Sequence, residues 1–217
     1  MDPAKEHSRR HRILAQAQRL MLERGFAATS VNDICKAAEV TKGAFFHHFA
    51  SKEAMTREVF ERFAESILVP MAFARDPHSN RDPMMRFRQL LRIIARTYVK
   101  SDVDRSDVSC LIGMFVHEFG CIDSSLQVLC AEALTKLRNA FADELKVAFA
   151  FHRSGVESPE DGQFVRLAGF FVGSIQGAIV MARATSEPRL VEDACADVVA
   201  RAEDFIDHFE PGVRRFS

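Results

Sequence analysis

Apolar residues recur at three- and four-residue spacing over most of the 217-residue chain, and no stretch alternates in the two-residue rhythm of a strand. From about Arg10 to Arg24, Ile13, Leu14, Ala17, Leu20 and Met21 form one helical stripe, closed by Gly25. The polar residues 1–9 ahead of it read as a loose basic arm. Thr29 or Ser30 caps the next helix, and Ser30 with Asp33 has the spacing of a capping box. Ser51 caps a long helix to about Arg75, with Val59, Phe60, Phe63 and Ile67 as its stripe; Pro70 should end or kink it. After the loop DPHSNRDP, helices are predicted at about 84–100, 108–119, 124–152, 161–185 and 190–208. The fold class is all-α.

The stretch from Val31 to Lys52, VNDICKAAEVTKGAFFHHFASK, breaks this run of long helices. Val31, Ile34 and Ala38 recur at helical spacing, Val40 is the apolar residue of a turn, and Phe45 and Phe49 lie four apart beyond it. That spacing packs two short helices against each other as a helix-turn-helix. Thr41, Lys42, Gly43, Ala44, His47 and His48 are left facing outward. They are small, basic or hydrogen-bonding, the chemistry expected where a recognition helix enters a major groove. Gly43 lets the backbone come close to DNA. Ser30 and Lys52 flank the set; Lys42 and Lys52 are expected to contact phosphates or base edges, and backbone N–H groups at the start of the helix beginning at Lys52 also suit a phosphate.

Charge sharpens the picture. The net charge is −1, so the chain as a whole is not basic. Residues 1–60 carry ten Lys and Arg against seven Asp and Glu, with four histidines besides; the rest carries nineteen against twenty-three. A basic head on an acidic body fits DNA contact at one end. The five cysteines are odd in number and scattered, and MDPAKEHSRRHR is not a secretory signal, which points to free thiols in a reducing cytoplasm.

Thr29, Ile34, Ala37, Ala38, Val40, Thr41, Gly43, His48, Phe49, Lys52, Glu53 and Met55 match, in register, the DNA-binding signature of the TetR family of bacterial regulators, which this stretch resembles. The resemblance implies about nine helices, with a DNA-binding domain over residues 1–55 and an effector-binding and dimerisation domain over 56–217. Two positions depart from the family pattern. Glu39 stands where glycine is usual, and costs about 1 kcal/mol if the turn needs positive φ. Phe46 replaces a tyrosine whose hydroxyl would bond a phosphate.

Residues 164–182, FVRLAGFFVGSIQGAIVMA, approach the length of a membrane span but contain Arg166 and Gln176. Gly169, Gly173 and Gly177 recur every four residues and allow another helix close approach. The resemblance implies a four-helix dimer bundle from the last two long helices, with these glycines and Phe205 at the interface and no membrane.

An effector site between the central helices is likewise implied, with Phe63, Ile67, Cys110, Met114, His117, Phe170 and Ser174 as candidate lining. With 19 Phe, one Tyr and no Trp, such a lining favours small apolar or aromatic ligands. Ser109-Cys110-Leu111-Ile112-Gly113 resembles a helix start in family members answering acrylate, N-ethylmaleimide and other electrophiles. There a thiolate at a helix N-terminus is the alternative, a thiol sensor at Cys110. His117 and Cys121, four apart, lack further ligands at metal spacing, and no nucleophile–base pair stands out; no catalytic residue, metal or cofactor is expected. The sequence therefore predicts a TetR-type regulator, a repressor that binds a near-palindromic operator as a homodimer. A small apolar or electrophilic effector would release it. An enzyme in the C-terminal pocket is the weaker alternative.

Overall fold

The computed structural model describes residues 3–74, 82–99 and 124–211, with side chains at 8–65, 82–96 and 126–211. Eight helices lie among them, and no strand: α1 (Pro3–Arg24), α2 (Val31–Ala37), α3 (Lys42–His48), α4 (Lys52–Ala74), α5 (Pro83–Val99), α6 (Ser124–His152), α7 (Asp161–Thr185) and α8 (Arg189–Asp207). The all-α class stands. The short helix expected at 108–119 lies outside the described residues.

One boundary differs from the sequence reading. Residues 3–9 are the first turns of α1, not a loose arm. Proline suits the first helical position because its missing N–H falls among donors that have no intrahelical partner anyway, so Pro3 can open the helix without an apolar stripe to announce it. Helix α4 runs past Pro70 to Ala74, close to its expected end near Arg75, so Pro70 does not end it. A proline removes one hydrogen bond from the ladder, and a 23-residue helix retains the others.

The chain forms two compact units. The first takes in residues 1–66 together with 109–133. Its core is the predicted stripe of α1 (Ile13, Leu14, Ala17, Leu20, Met21) against Ile34, Ala38, Phe45, Phe49, Met55 and Val59, all buried. Gly25 ends α1 at φ 89°, a left-handed conformation that glycine adopts without strain. The buried Thr29 donates its hydroxyl to the Gly25 carbonyl at 2.7 Å, so Ser30, not Thr29, is left to cap α2.

The second unit takes in residues 67–108 and 134–217. Phenylalanines hold it together. The Phe87 ring lies 5.7 Å from Phe141 and 6.1 Å from Phe171. Phe164 joins Phe149 at 6.0 Å and Phe205 at 5.7 Å. Edge-on and tilted pairs of this kind add to the burial of large apolar area. Helix α7, the apolar segment of the sequence, buries Phe164, Leu167, Ala168, Phe171, Val172, Ile175, Ile179 and Ala182. This face of α7 belongs to the core of the second unit, while Phe170, Val180 and Met181 elsewhere on the helix are exposed.

Candidate nucleic-acid interface

Ser30 opens α2 with a complete capping box. Its hydroxyl accepts from the Asp33 N–H at 3.2 Å and donates to the Asp33 carboxylate at 2.7 Å, and its own N–H reaches the same oxygen at 3.1 Å. The Ser30 hydroxyl and backbone, with Arg24 nearby, hold the Asp33 carboxyl below the usual carboxylate range. Both hydrogens of Ser30 are thus committed inside the protein.

The turn between α2 and α3 is closed by backbone bonds alone. The Val40 N–H reaches the Cys35 carbonyl at 3.0 Å and the Glu39 N–H reaches Lys36 at 3.3 Å. This is the paired pattern of a Schellman end, and it forces the residue after the C-cap into the left-handed region. That residue is Glu39, at φ 53°. The backbone requirement foreseen from the missing glycine is present.

Thr41 then caps α3, its hydroxyl accepting from the Ala44 N–H at 3.1 Å. Phe45 is fully buried beneath the helix, and Phe49 closes its end with an N–H bond to Phe45 at 2.9 Å. With these residues fixed inward, Thr41, Lys42, Gly43, Phe46 and His47 are exposed on the other side, and Ala44 and His48 are half-buried. The His47 and His48 rings meet edge-on at 5.3 Å. A Cβ built on Gly43 would come no nearer than 3.8 Å, to the Thr41 hydroxyl oxygen, so the fold leaves room for a side chain there.

Two cations tie this head together, and neither tie was visible in the sequence. Arg10 on α1 forms a two-pronged ion pair with Glu58 on α4, and its guanidinium lies 5.1 Å from the centre of the Phe49 ring. Lys52, the first residue of α4, donates its ammonium to the Phe26 carbonyl and stands 3.7 Å from the centre of the Phe26 ring. Cation and ring attract in both places. Pairings 48 and 26 residues apart leave no local periodic trace. Lys52 therefore has an internal role at the position where a phosphate contact is expected. At the start of α4 the Ala54 N–H is taken by the Ser51 hydroxyl, as the capping argument anticipates.

The C-terminal candidates are only partly placed. Phe63 is half-buried on α4, Ile67 lies in α4 without a described side chain, and Cys110, Met114 and His117 lie outside the described residues. Phe170 and Ser174 are four apart on α7, Phe170 at 59 % exposure and Ser174 half-buried. Of the interface candidates, Gly173 and Gly177 are exposed with open space above them, Gly169 is half-buried beside Arg138, and the Phe205 ring packs within the chain on Phe164 and Phe209. Cys35, Cys130 and Cys195 are buried; burial pushes the Cys35 thiol up, and burial with Glu192 pushes Cys195 up to about 11. Such thiols are poor nucleophiles.

The description "Bacterial regulatory proteins, tetR family" matches residues 13–59, and "Transcriptional regulator LmrA/YxaF-like, C-terminal domain" matches residues 83–203. The chain belongs to the TetR family. It is 29 % identical to the transcriptional repressor DhaR of Mycobacterium sp. strain GP1 over 177 residues, 79 % of this chain and 80 % of DhaR. It is 42 % identical to the Escherichia coli repressor NemR over 62 residues, 29 % of this chain and 31 % of NemR. A solved TetR-family regulator from Agrobacterium tumefaciens shares the fold at TM-score 0.77 and 17 % identity, covering 90 % of this chain and 98 % of that one. Reduced E. coli NemR does so at 0.72 and 21 %, covering 88 % and 95 %. The chain is thus a TetR-type helix-turn-helix transcriptional regulator. These likenesses favour a ligand-responsive regulator over a thiol sensor.

Proposed function

We propose that this regulator is a cytoplasmic repressor that binds a near-palindromic operator as a homodimer and leaves it when a small apolar effector occupies the C-terminal part. The observation that carries the reading is α3, whose caps and buried Phe45 turn Thr41, Lys42, Gly43, Phe46 and His47 outward together. Lys42 is the phosphate or base-edge contact, and Thr41, Ala44 and His48 stand around it. Gly43 has no internal reason to lack a side chain, which supports close approach by DNA instead. Ser30 and Lys52 serve the contact from inside, by fixing the starts of α2 and α4.

A second copy is supported by the exposed apolar line on α7, where Phe170, Val180 and Met181 are each more than half exposed beside Gly173 and Gly177. In a homodimer two α3 helices would reach successive major grooves about 34–36 Å apart. An effector that alters that spacing and the operator would weaken each other's binding by the same factor.

The test is fluorescence anisotropy of the full-length protein on DNA flanking its own gene, across a salt series, beside Lys42→Ala. Tight, selective binding is expected, with the substitution weakening it on every sequence and lowering the salt slope by about one. Weak binding that is equal on that DNA and on scrambled DNA would remove the repressor reading for that operator.

A further inference from the structure

Between α5 and α8, within the second unit, lies a groove of about 480 Å³. Leu91, Ala95 and Cys195, all buried, give it an apolar floor, and Val199 flanks them. Arg88, Arg92 and Arg96 stand one per turn on the α5 side, on a single face of that helix. Glu192 and Glu203 stand on the α8 side. Arg88 is already matched, its Nε donating to the Glu203 carboxylate at 2.6 Å. Arg92 and Arg96 are exposed and form no ion pair among the described residues. Two guanidinium groups without a carboxylate of their own among the described residues therefore border an apolar floor, in a groove of the size that holds small molecules.

We propose that this groove binds a small amphiphilic monoanion, a carboxylate carrying a short apolar tail. The tail lies on Leu91, Ala95, Cys195 and Val199, and the carboxylate meets the planar forks of Arg92 and Arg96, whose geometry suits two parallel hydrogen bonds. Glu192 and Glu203 sharpen the choice of head group: a doubly charged head meets their repulsion more strongly than a single charge does. The site shares no residue with the helix-turn-helix or with Phe170 and Ser174, so its occupancy is measurable without DNA.

The test is calorimetric titration of the full-length protein with octanoate and, separately, with 1-octanol, beside Arg92→Ala/Arg96→Ala, Arg92→Lys/Arg96→Lys and Val199→Trp. Octanoate is expected to bind wild type about ten-fold more tightly than the alcohol, which shares only the tail contacts. The double alanine variant should lose that preference, the double lysine variant should keep part of it, and Val199→Trp should weaken both ligands by filling the groove. Both arginines are exposed, so melting by circular dichroism should be unchanged in their variants. No octanoate binding, equal binding of acid and alcohol to wild type, or a preference that survives the double alanine variant would overturn the proposal. So would a change of sedimentation mass in that variant, which would assign the arginines to an interface between copies.

Discussion

Glu39→Gly should make this protein more stable, although it deletes a whole side chain. Glu39 sits at φ 53° because the Val40 and Glu39 N–H bonds to Cys35 and Lys36 leave it no other conformation. For an L-residue with a Cβ that region costs roughly 1–2 kcal/mol, and glycine escapes the cost. Glycine gives back about 0.4–1 kcal/mol through the greater freedom of its unfolded chain. The net gain is about 0.5–1 kcal/mol. If the whole chain melts as one unit, that is about 2–4 °C per kcal/mol; if the first unit melts alone, about 4–8 °C per kcal/mol. Urea unfolding followed by helical circular dichroism is the assay, since the chain has no Trp and one Tyr. The midpoint should rise with the slope unchanged. Glu39→Ala is the decisive control. It removes the carboxylate from the negative end of α2, worth about 0.3–1 kcal/mol at most, but keeps the Cβ and the strain. If alanine stabilises as much as glycine, the gain is electrostatic and the argument from φ is wrong. If glycine lowers the midpoint, the turn is held by something other than its backbone bonds.

Gly43→Ala should separate folding from function. Its Cβ meets nothing nearer than 3.8 Å, so helix propensity should raise stability by up to about 1 kcal/mol, while anisotropy on the operator should show weaker binding; a variant that binds unchanged would show that DNA does not approach this backbone. Phe46→Tyr, at a position 53 % exposed, should strengthen operator binding about five-fold at low salt by adding a hydroxyl that can reach a phosphate. Arg10→Ala should cost about 1 kcal/mol in urea unfolding, because it removes both the Glu58 pair and the Phe49 contact, and Arg10→Lys should recover only part of it. At Asp82, burial would raise the carboxyl, but hydrogen bonds from His152 and from the Met84 N–H outweigh it and hold it below 3.8. A lowered folded value contributes stability that is full above about pH 3.8 and is lost as pH falls through it. The stability difference between wild type and Asp82→Asn should therefore be present at pH 6 and vanish at the acid end of a pH series of unfolding curves.

The parts of this molecule that were legible in the sequence are those whose cause is local. The α1 stripe, the Ser30–Asp33 box, the Ser51 cap, the span of α7 and the backbone requirement at Glu39 all follow from residues within four positions of one another. The start of α1 has no such local signature: a helix without an apolar stripe gives no periodic signal, and its first turns have the polar composition of an arm.

What the sequence hid is the set of contacts that hold the DNA-facing surface in place. Lys52 looks from its spacing like a phosphate ligand, and Arg10 like one charge in a basic run. Each instead spends its charge on a ring and an oxygen of another element. Pattern alone assigns an exposed cation to solvent or to DNA, because it has no means of finding a partner dozens of residues away. The consequence reaches function. The count of ten Lys and Arg in residues 1–60 overstates what is offered to a phosphate backbone, because Arg10 is turned onto Glu58 and Phe49 and Lys52 onto Phe26. Electrostatic steering by this head should therefore be modest, and selectivity should rest on the contacts of α3. A salt slope corresponding to the full count of ten Lys and Arg in residues 1–60 would contradict that view; one of only a few phosphates per subunit would support it.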